Sequence, residues 1–136
     1  MTNYDLLDAL RVQVWTAKPD GLLDFVNQHG CDYFGKSRSE LIDEGWQFVL
    51  HPADVPTTIA RWTESLTTGA SYENDFRLLR ASDRVYRWHR ATAVRLEMPD
   101  GPRWLGTNVD IDAERRAEEV HEALRQQVLI EREFEA

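Results

Sequence analysis

The sequence has little of what marks several common classes of protein. Its 136 residues include one cysteine, Cys31, which excludes an internal disulfide and a metal site built from cysteines alone. No apolar run approaches the roughly 20 residues that cross a bilayer, and residues 1–5 lack the basic start of a signal peptide. We therefore expect a cytoplasmic chain with no direct insertion into a membrane.

Positive charge is scarce relative to negative charge. The formal net charge is −8, which disfavours general binding to nucleic acid or to anionic lipid. Apolar residues make up 42% of the chain, which is enough for a packed core, and the length suits one domain. The composition indicates a single globular domain that binds no nucleic acid.

Turn-forming residues and periodicity predict an α+β fold. Strands are expected at 12–17, 22–26, 72–80, 85–96 and 103–111. Glycine and proline cut residues 27–69 into short helices, and a helix free of both follows Asp112, its expected cap. The predicted segments are an N-terminal capping helix at 1–11, a core at 12–112 and the start of a C-terminal helix at 113–136.

The alternation along the third and fourth strands predicts which side chains share a face of the sheet. A short loop after Arg80 places Asp75 opposite Arg90 and Arg77 opposite Trp88, and opposed residues of an antiparallel pair share a face. The other face is apolar or small and turns toward the helices. It forms a candidate ligand pocket made of Phe76, Leu78, His89, Ala91 and Ala93 together with Trp46.

Two interpretations of this inner face remain open. The small side chains of Ala91 and Ala93 leave room for a ligand in one of them. In the other, Trp46 or Trp62 fills the same space.

The outer face is apolar as well and predicts a contact surface. It carries Trp88, Val94 and Leu96, and Trp104 joins them if the next hairpin places Trp104 opposite Leu96. Such a surface needs a cover, which the N-terminal helix or a second copy of the chain supplies. We expect a homodimer whose interface includes these four residues and Leu6, Leu7, Leu10, Val120 and Leu124.

At the C-terminus, the tail predicts a weak coiled coil. Ala117, Val120 and Leu124 fit a coiled-coil seam, but Gln127 and Glu131 occupy its next two core positions. The seam therefore drifts or breaks after about one heptad.

Several motifs in order resemble the PAS family of sensor domains. The segment Trp15–Gly21 (WTAKPDG), followed by Val26-Asn27, resembles the opening hairpin of bacterial PAS domains. The segment Trp46–Val55 (WQFVLHPADV) is similar to the tryptophan and His-Pro-x-Asp signature of the subgroup common in sensor histidine kinases. Residues 104–112 (WLGTNVDID) complete the pattern.

This resemblance implies a fold and a role. The PAS fold is a five-stranded antiparallel sheet with short helices inserted after strand 2, here with an N-terminal helix and a C-terminal signalling helix. PAS domains sense a ligand or partner and pass a conformational change to a C-terminal output domain. The resemblance assigns the signal-transfer hinge to Asp110, Ile111 and Asp112.

The resemblance also bears on cofactors. Haem-binding members use a histidine on the long helix of the fold as the iron ligand. The corresponding helix is expected here at residues 54–66, which contain no histidine. The photochemical flavin branch requires a cysteine in an N-C-R-F-L-Q-like motif, which Gly30-Cys31-Asp32-Tyr33 does not match. No cofactor is expected, and an unidentified small-molecule ligand remains compatible with the fold.

Catalytic and metal-binding patterns are missing from the sequence. The four histidines have no metal-ligand spacing, and neither a nucleophile elbow nor a phosphate-binding loop occurs. His89 is the one inward candidate, and the simpler interpretation is a core histidine bonded to a backbone carbonyl. We expect a non-enzymatic relay domain, with a ligand-free PAS dimerisation adaptor as the alternative and a small cone-fold enzyme as the weaker one.

Overall fold

The computed structural model describes residues 3–135 of the chain as an antiparallel sheet covered by helices. The strands are β1 (Gln13–Ala17), β2 (Leu23–Val26), β3 (Tyr72–Arg80), β4 (Val85–Met98) and β5 (Gly101–Asp110). The α-helices are α1 (Asn3–Asp8), α2 (Gln28–Phe34), α3 (Arg38–Leu41), α4 (Val55–Thr68) and α5 (Asp112–Glu135). Two 3-10 segments, Gly45–Val49 and Pro52–Asp54, lie between α3 and α4. The predicted α+β class and element order are confirmed.

The sheet brings the two ends of the domain core together. Its strand order is β2-β1-β5-β4-β3, and each neighbouring pair is antiparallel. The last strand, β5, therefore lies between the first strand and the fourth. The C-terminal helix α5 consequently leaves from the centre of the sheet.

The predicted register of the β3–β4 hairpin is confirmed. Asp75 lies opposite Arg90 and Arg77 opposite Trp88. The turn closes with Arg84 in the left-handed region, at φ 58°, where a glycine would meet less steric resistance. Pairing resumes at once on either side of the turn, between Arg80 and Val85.

The predicted register of the β4–β5 hairpin is wrong by one residue. Trp104 lies opposite Arg95, not Leu96, because a two-residue turn joins Met98 directly to Gly101, whose φ is 120°. A shift of one residue moves every side chain to the other face. Trp104 therefore points into the core, where it is 2% exposed, and it is not part of the outer surface.

Trp62 of α4 is the centre of an aromatic cluster at one end of the inner face. Its ring lies 5.5 Å from Trp15, 5.0 Å from Trp104 and 5.1 Å from Tyr72, each in an edge-to-face arrangement. The Trp15 ring lies directly over Gly106, where an added Cβ would be 2.2 Å from ring atoms. At this end of the sheet, tryptophans occupy the room that small residues leave.

Asn27, the residue after β2, fastens the N-terminal segment to the core. Its side-chain oxygen accepts the N–H groups of Val14 and Gly30, at 3.0 and 3.1 Å. Its side-chain nitrogen donates to the carbonyl oxygens of Leu7 and Val12, at 2.9 and 2.8 Å. The asparagine of the opening hairpin motif therefore joins α1, β1 and α2.

The His-Pro-x-Asp motif fastens the start of α4 to the sheet edge. His51 Nδ1 accepts the Ala53 N–H at 3.1 Å and so holds the loop before α4. Asp54 accepts the backbone N–H of Arg77 and two guanidinium N–H groups of the same residue, at 2.8 to 3.0 Å. The hydrogen bond from the Arg77 guanidinium lowers the pKa of Asp54, and burial raises it. The bond is the larger effect, so the pKa of this carboxyl lies below its ordinary value.

The predicted N-terminal helix is too long. The helix ends at Asp8 rather than at residue 11, because the chain then turns to place the carbonyls of Leu10 and Val12 on Asn27. Met1, Thr2 and Ala136, which the predicted segments 1–11 and 113–136 include, lie outside the described residues.

A substitution at Gly106 tests the close packing of the aromatic cluster. Gly106→Ala should lower the free energy of unfolding by about 1–3 kcal/mol, because the new methyl group meets the Trp15 ring. Urea denaturation measures the change, and Thr107→Ala on the outer face is the matched control. In a double-mutant cycle with Trp15→Leu the loss should shrink. A loss that stays the same in the Trp15→Leu background would contradict the proposed contact.

Candidate functional site

A small cavity lies between the inner face of the sheet and the helices. Of the predicted pocket residues, Phe76, Leu78, Ala91 and Trp46 line it. His89 and Ala93 lie on the same face, beyond the cavity wall. The cavity measures about 60 Å³. For comparison, an apolar cavity of about 150 Å³ is large enough to hold benzene.

The cavity wall is mostly apolar, with two amide side chains at one end. Helical and loop segments contribute Leu41, Val49 and Trp62, and the sheet contributes Trp15 and Tyr72. The amides belong to Gln13 and Asn108, which lie opposite each other on β1 and β5. Neither residue was predicted as part of the site.

A partly buried chain of hydrogen bonds starts at the cavity and crosses three strands. Trp15 Nε1 donates to Asn108 Oδ1 at 3.1 Å, and Asn108 Nδ2 donates to Gln13 Oε1 at 3.2 Å. Gln13 Nε2 bonds to His89 Nε2 at 3.3 Å, and His89 Nδ1 bonds to the Arg87 carbonyl oxygen at 2.8 Å. His89 is fully buried. The chain of hydrogen bonds therefore ends at Arg87, the residue before Trp88, on the strand that also contacts the predicted hinge.

The two ends of this chain determine the direction of every bond in it. An indole N–H can only donate and a backbone carbonyl can only accept. His89 Nδ1 must therefore carry the proton that it donates to the Arg87 carbonyl. This leaves His89 Nε2 as the acceptor of the bond that Gln13 Nε2 donates. Burial lowers the pKa of His89, against the effect of its bond to the Arg87 carbonyl. His89 is thus a neutral core histidine bonded to a backbone carbonyl.

The predicted hinge is an ionic cluster at the base of α5. Arg87 donates to both carboxylate oxygens of Asp110, at 2.6 and 3.3 Å. Tyr33 of α2 donates its hydroxyl to the same carboxylate at 3.2 Å, and the Tyr33 ring stands edge-on to His89. The end of β5 is therefore connected both to α2 and to the strand that carries His89.

Asp112 is not the cap that the sequence predicts. The Asp112 carboxylate, 4% exposed, accepts the Trp88 N–H at 3.2 Å and the Arg116 guanidinium at 2.5 Å. The N–H of Asp112 itself donates to Asp110 Oδ1 at 3.0 Å. Burial alone would raise the pKa of Asp112, but the bonds from Arg116 and Trp88 outweigh it and hold that pKa below its ordinary value. The Asp110 carboxylate thus accepts the first N–H group of the helix, and the Asp112 carboxylate bonds α5 to β4.

The predicted hinge residue between them, Ile111, is anchored by its main chain. Ile111 is buried, its N–H donates to the Trp88 carbonyl at 2.8 Å, and its own carbonyl accepts the first helical bond, from Arg115, at 2.9 Å. All three predicted hinge residues therefore contact Arg87 or Trp88 of β4.

Trp88 connects α5 to the outer face of the sheet. The Arg115 guanidinium of α5 lies 3.9 Å from the centre of the Trp88 ring, and that of Arg77 lies 5.1 Å from it. Arg115 also pairs with Asp75 at 3.6 Å. Trp88 is therefore largely occupied within the chain, as a cation–π partner of two arginines.

Other predicted interface residues remain accessible. Val94 and Leu96 on the outer face are 46% and 39% exposed, and Met98 and Val109 extend the same surface. Leu6 and Leu10 of α1 are also exposed, while Leu7 is half-buried. On α5, Val120 and Leu124 are 60% and 59% exposed.

Two other features are absent from residues 3–135, a metal-binding cluster and a membrane-spanning helix. No group of three or more His, Cys, Asp or Glu side chains is arranged to hold a metal ion. No helix in that range is long and apolar enough to cross a membrane.

The titration of His89 is testable through stability. Its pKa lies below 6.5 in the folded chain, so the neutral form stabilises the fold fully above pH 6.5. That contribution is lost as the pH falls from 6.5 toward the folded pKa, by up to about 1.4 kcal/mol per pH unit. His89→Asn should therefore flatten the fall in unfolding free energy between pH 7.5 and pH 5, measured by urea denaturation.

The control for this measurement is His121→Asn, on the exposed face of α5. It should keep the wild-type slope. An unchanged slope in His89→Asn would show that His89 is not held neutral by burial.

Comparison with known proteins agrees with this geometry. A family model described as the PAS fold matches residues 23–108, well over half of the chain. The chain is 34% identical over 127 residues to the uncharacterized protein y4lL of Sinorhizobium fredii, covering 91% of this chain and 15% of that protein. It is also 34% identical over 117 residues to the peroxide stress-activated histidine kinase mak1 of Schizosaccharomyces pombe, covering 83% of this chain and 7% of that protein.

A solved structure supports the same assignment at the level of fold. An RNA-binding light-oxygen-voltage receptor superimposes with a TM-score of 0.75 at 16% identity, covering 90% of this chain and 36% of that chain. The fold, the matched family model and the position of the predicted motifs agree: the chain belongs to the PAS family.

Proposed function

We propose that this PAS domain is a sensory relay in which the state of the inner cavity is passed to α5. One observation carries the proposal: the hydrogen-bond chain from the cavity ends on the Arg87 carbonyl, and the Arg87 side chain holds Asp110 of the hinge. A change at Gln13 or Asn108 therefore reaches the base of α5 through two bonded residues, His89 and Arg87. The relay requires these contacts to have a second arrangement close in energy to the one described here.

The output of the relay lies in a longer protein in this proposal. The chain spans 15% and 7% of the two relatives it matches, one of which is named a histidine kinase. A histidine kinase domain following α5 is the proposed output, in the cytoplasm. The chain itself performs no catalysis and binds no nucleic acid in this proposal, and the family assignment leaves the cone-fold enzyme without support.

Neither haem nor a photochemical flavin is part of the proposal. Pockets for cofactor-sized ligands measure roughly 300–1,000 Å³, far above the cavity of about 60 Å³ here. Trp15, Trp46 and Trp62 form part of its wall, and these rings would have to move for a flavin to enter. In this proposal the cavity therefore holds no flavin, although a structural neighbour is a light-oxygen-voltage receptor.

We further propose a homodimer formed by the outer face and α5. Val94 and Leu96 on β4 and Val120 and Leu124 on α5 are all more than a third exposed. Burial of these surfaces in a partner would remove apolar area from water. The tail adds a weak seam, because Gln127 donates to Glu131 at 3.3 Å where a stable coiled coil would bury apolar residues.

A ligand-free adaptor is the second candidate function. The small cavity favours it, since the aromatic cluster around Trp62 fills much of the inner face. In an adaptor, the dimer surfaces would matter for output and the amides at the cavity would not.

Replacement of Gln13 distinguishes the relay from the adaptor. Gln13→Leu removes the link between Asn108 and His89, so hydrogen exchange at the backbone of residues 112–118 should become about five- to tenfold faster, as expected for the loss of about 1 kcal/mol of local stability.

The matched control is Thr58→Val, which removes a different buried side-chain bond, from Asn74 at 3.0 Å, that has no connection to the hinge. It should leave the exchange of residues 112–118 near wild type. If both variants accelerate these amides equally, the effect is general destabilisation and the relay proposal fails.

Two substitutions in the seam test the role of α5. Replacing Gln127 and Glu131 together with leucine completes the apolar seam, so the homodimer should tighten at least tenfold in sedimentation, and the output of a full-length protein should become fixed in one state. Gln126→Leu with Glu133→Leu adds the same two residues off the seam and should do neither. Unchanged affinity and output in the seam variant would place the relay on another surface.

A further inference from the structure

The chemistry of the cavity restricts what it can hold. None of the described residues that line it is Asp, Glu, Lys, Arg or His. Burial raises the pKa of Tyr72, a wall residue, to about 12, so its phenol is neutral at physiological pH. An ion in this space would lose its hydration without gaining a countercharge, which is strongly unfavourable. A ligand of this cavity must therefore be uncharged.

The polar end of the cavity has spare hydrogen-bonding capacity. An amide side chain offers two N–H groups and two lone pairs. Within the chain of hydrogen bonds, Asn108 uses one N–H and one lone pair, and so does Gln13. Each amide can therefore bond a hydroxyl or carbonyl oxygen of a ligand without giving up its place in the chain.

The volume limits the size of the ligand. An apolar cavity of about 150 Å³ holds benzene, so a cavity of about 60 Å³ holds roughly two to three non-hydrogen atoms on the same scale. At the highest binding energy per atom known for small ligands, three atoms correspond to a dissociation constant no tighter than about 0.5 mM. Binding in the millimolar range is the realistic expectation.

We infer that the cavity binds a short, uncharged oxygenated molecule, an alcohol or a carbonyl compound, with its oxygen on Gln13 and Asn108 and its apolar part against Ala91 and Phe76. The inference rests on the proposed function in taking this cavity as the sensed site. It adds the class of molecule sensed and the two residues that recognise it. The apolar wall selects against water-like ligands, and the lack of a countercharge selects against carboxylates and amines.

Four probes of equal size test the class of ligand. Ethanol and formamide are neutral, whereas ethylammonium and formate carry a charge, and all four contain three non-hydrogen atoms. In a 15N NMR titration of the chain, the two neutral probes should give saturable shifts of the Trp15 indole N–H and of the Gln13 and Asn108 side-chain amides. The two ions should bind at least tenfold more weakly. Equal binding of formate and formamide would overturn the assignment.

Variants place the binding in the cavity. Ala91→Leu fills the space from the inner face and should abolish the shifts, and Ala91→Val serves if the larger side chain prevents folding. Thr92→Leu, on the next residue of β4 and the opposite face, is the matched control and should bind as wild type. Gln13→Leu should weaken the binding of ethanol at least fivefold and leave that of xenon, which has no polar group, unaffected. Shifts that persist in both Ala91 variants would contradict the inference.

The same titration separates this inference from the relay. If the neutral probes bind and the amides of residues 112–116 do not respond, the ligand class stands and the relay fails. If no neutral probe binds, the ligand class is wrong. The relay then still stands or falls on the hydrogen exchange of Gln13→Leu.

Discussion

The pairing of the first strand with the last is the constraint on which the rest of the domain depends. Because β1 lies beside β5, Trp15 faces Gly106 and Gln13 faces Asn108. The first pair gives the indole ring a place to lie, and the second brings two amides from distant parts of the chain into hydrogen-bonding contact. The same pairing puts the end of β5 in the middle of the sheet. The packing of the core, the polar end of the cavity and the position of the base of α5 therefore all depend on the register between β1 and β5.

Local alternation together with a short loop was sufficient where a single face was apolar, and alternation was insufficient where both faces were. Along β3, Phe76 and Leu78 alternate with Asp75 and Arg77, and this pattern together with the short loop after Arg80 predicts the register with β4. Near the end of β4, Val94 and Leu96 are apolar on the outer face while Ala91 and Ala93 are small on the inner one, so the pattern does not select a register with β5. The short turn into Gly101 makes that choice, and it is a property of backbone geometry that the apolar pattern does not report.

The inward-facing residues of the site were predictable, and their polar partners were not. His89 could be placed from the β3–β4 register, together with its bond to a backbone carbonyl. Gln13 and Asn108 are 95 positions apart, and no short-range pattern joins them. The available signal was the alternation of side chains along β1. Gln13 lies at alternate positions with the inward-facing Trp15 and Ala17, so its side chain faces inward as well. A polar residue at an inward position of a buried strand must find a bonding partner, and that rule would have marked Gln13 as a candidate.

The base of α5 is held from both faces of the sheet, and this defines where the proposed relay acts on the helix. On the inner side Arg87 holds Asp110, while on the outer side Trp88 carries the Arg115 guanidinium. Arg87 and Trp88 are consecutive in β4, so their side chains point to opposite faces. In the proposed relay, a change in β4 therefore acts on the helix base through both contacts at once. Beyond Arg116 the described side chains of α5 are exposed, so the described contacts between the sheet and α5 all lie at this base.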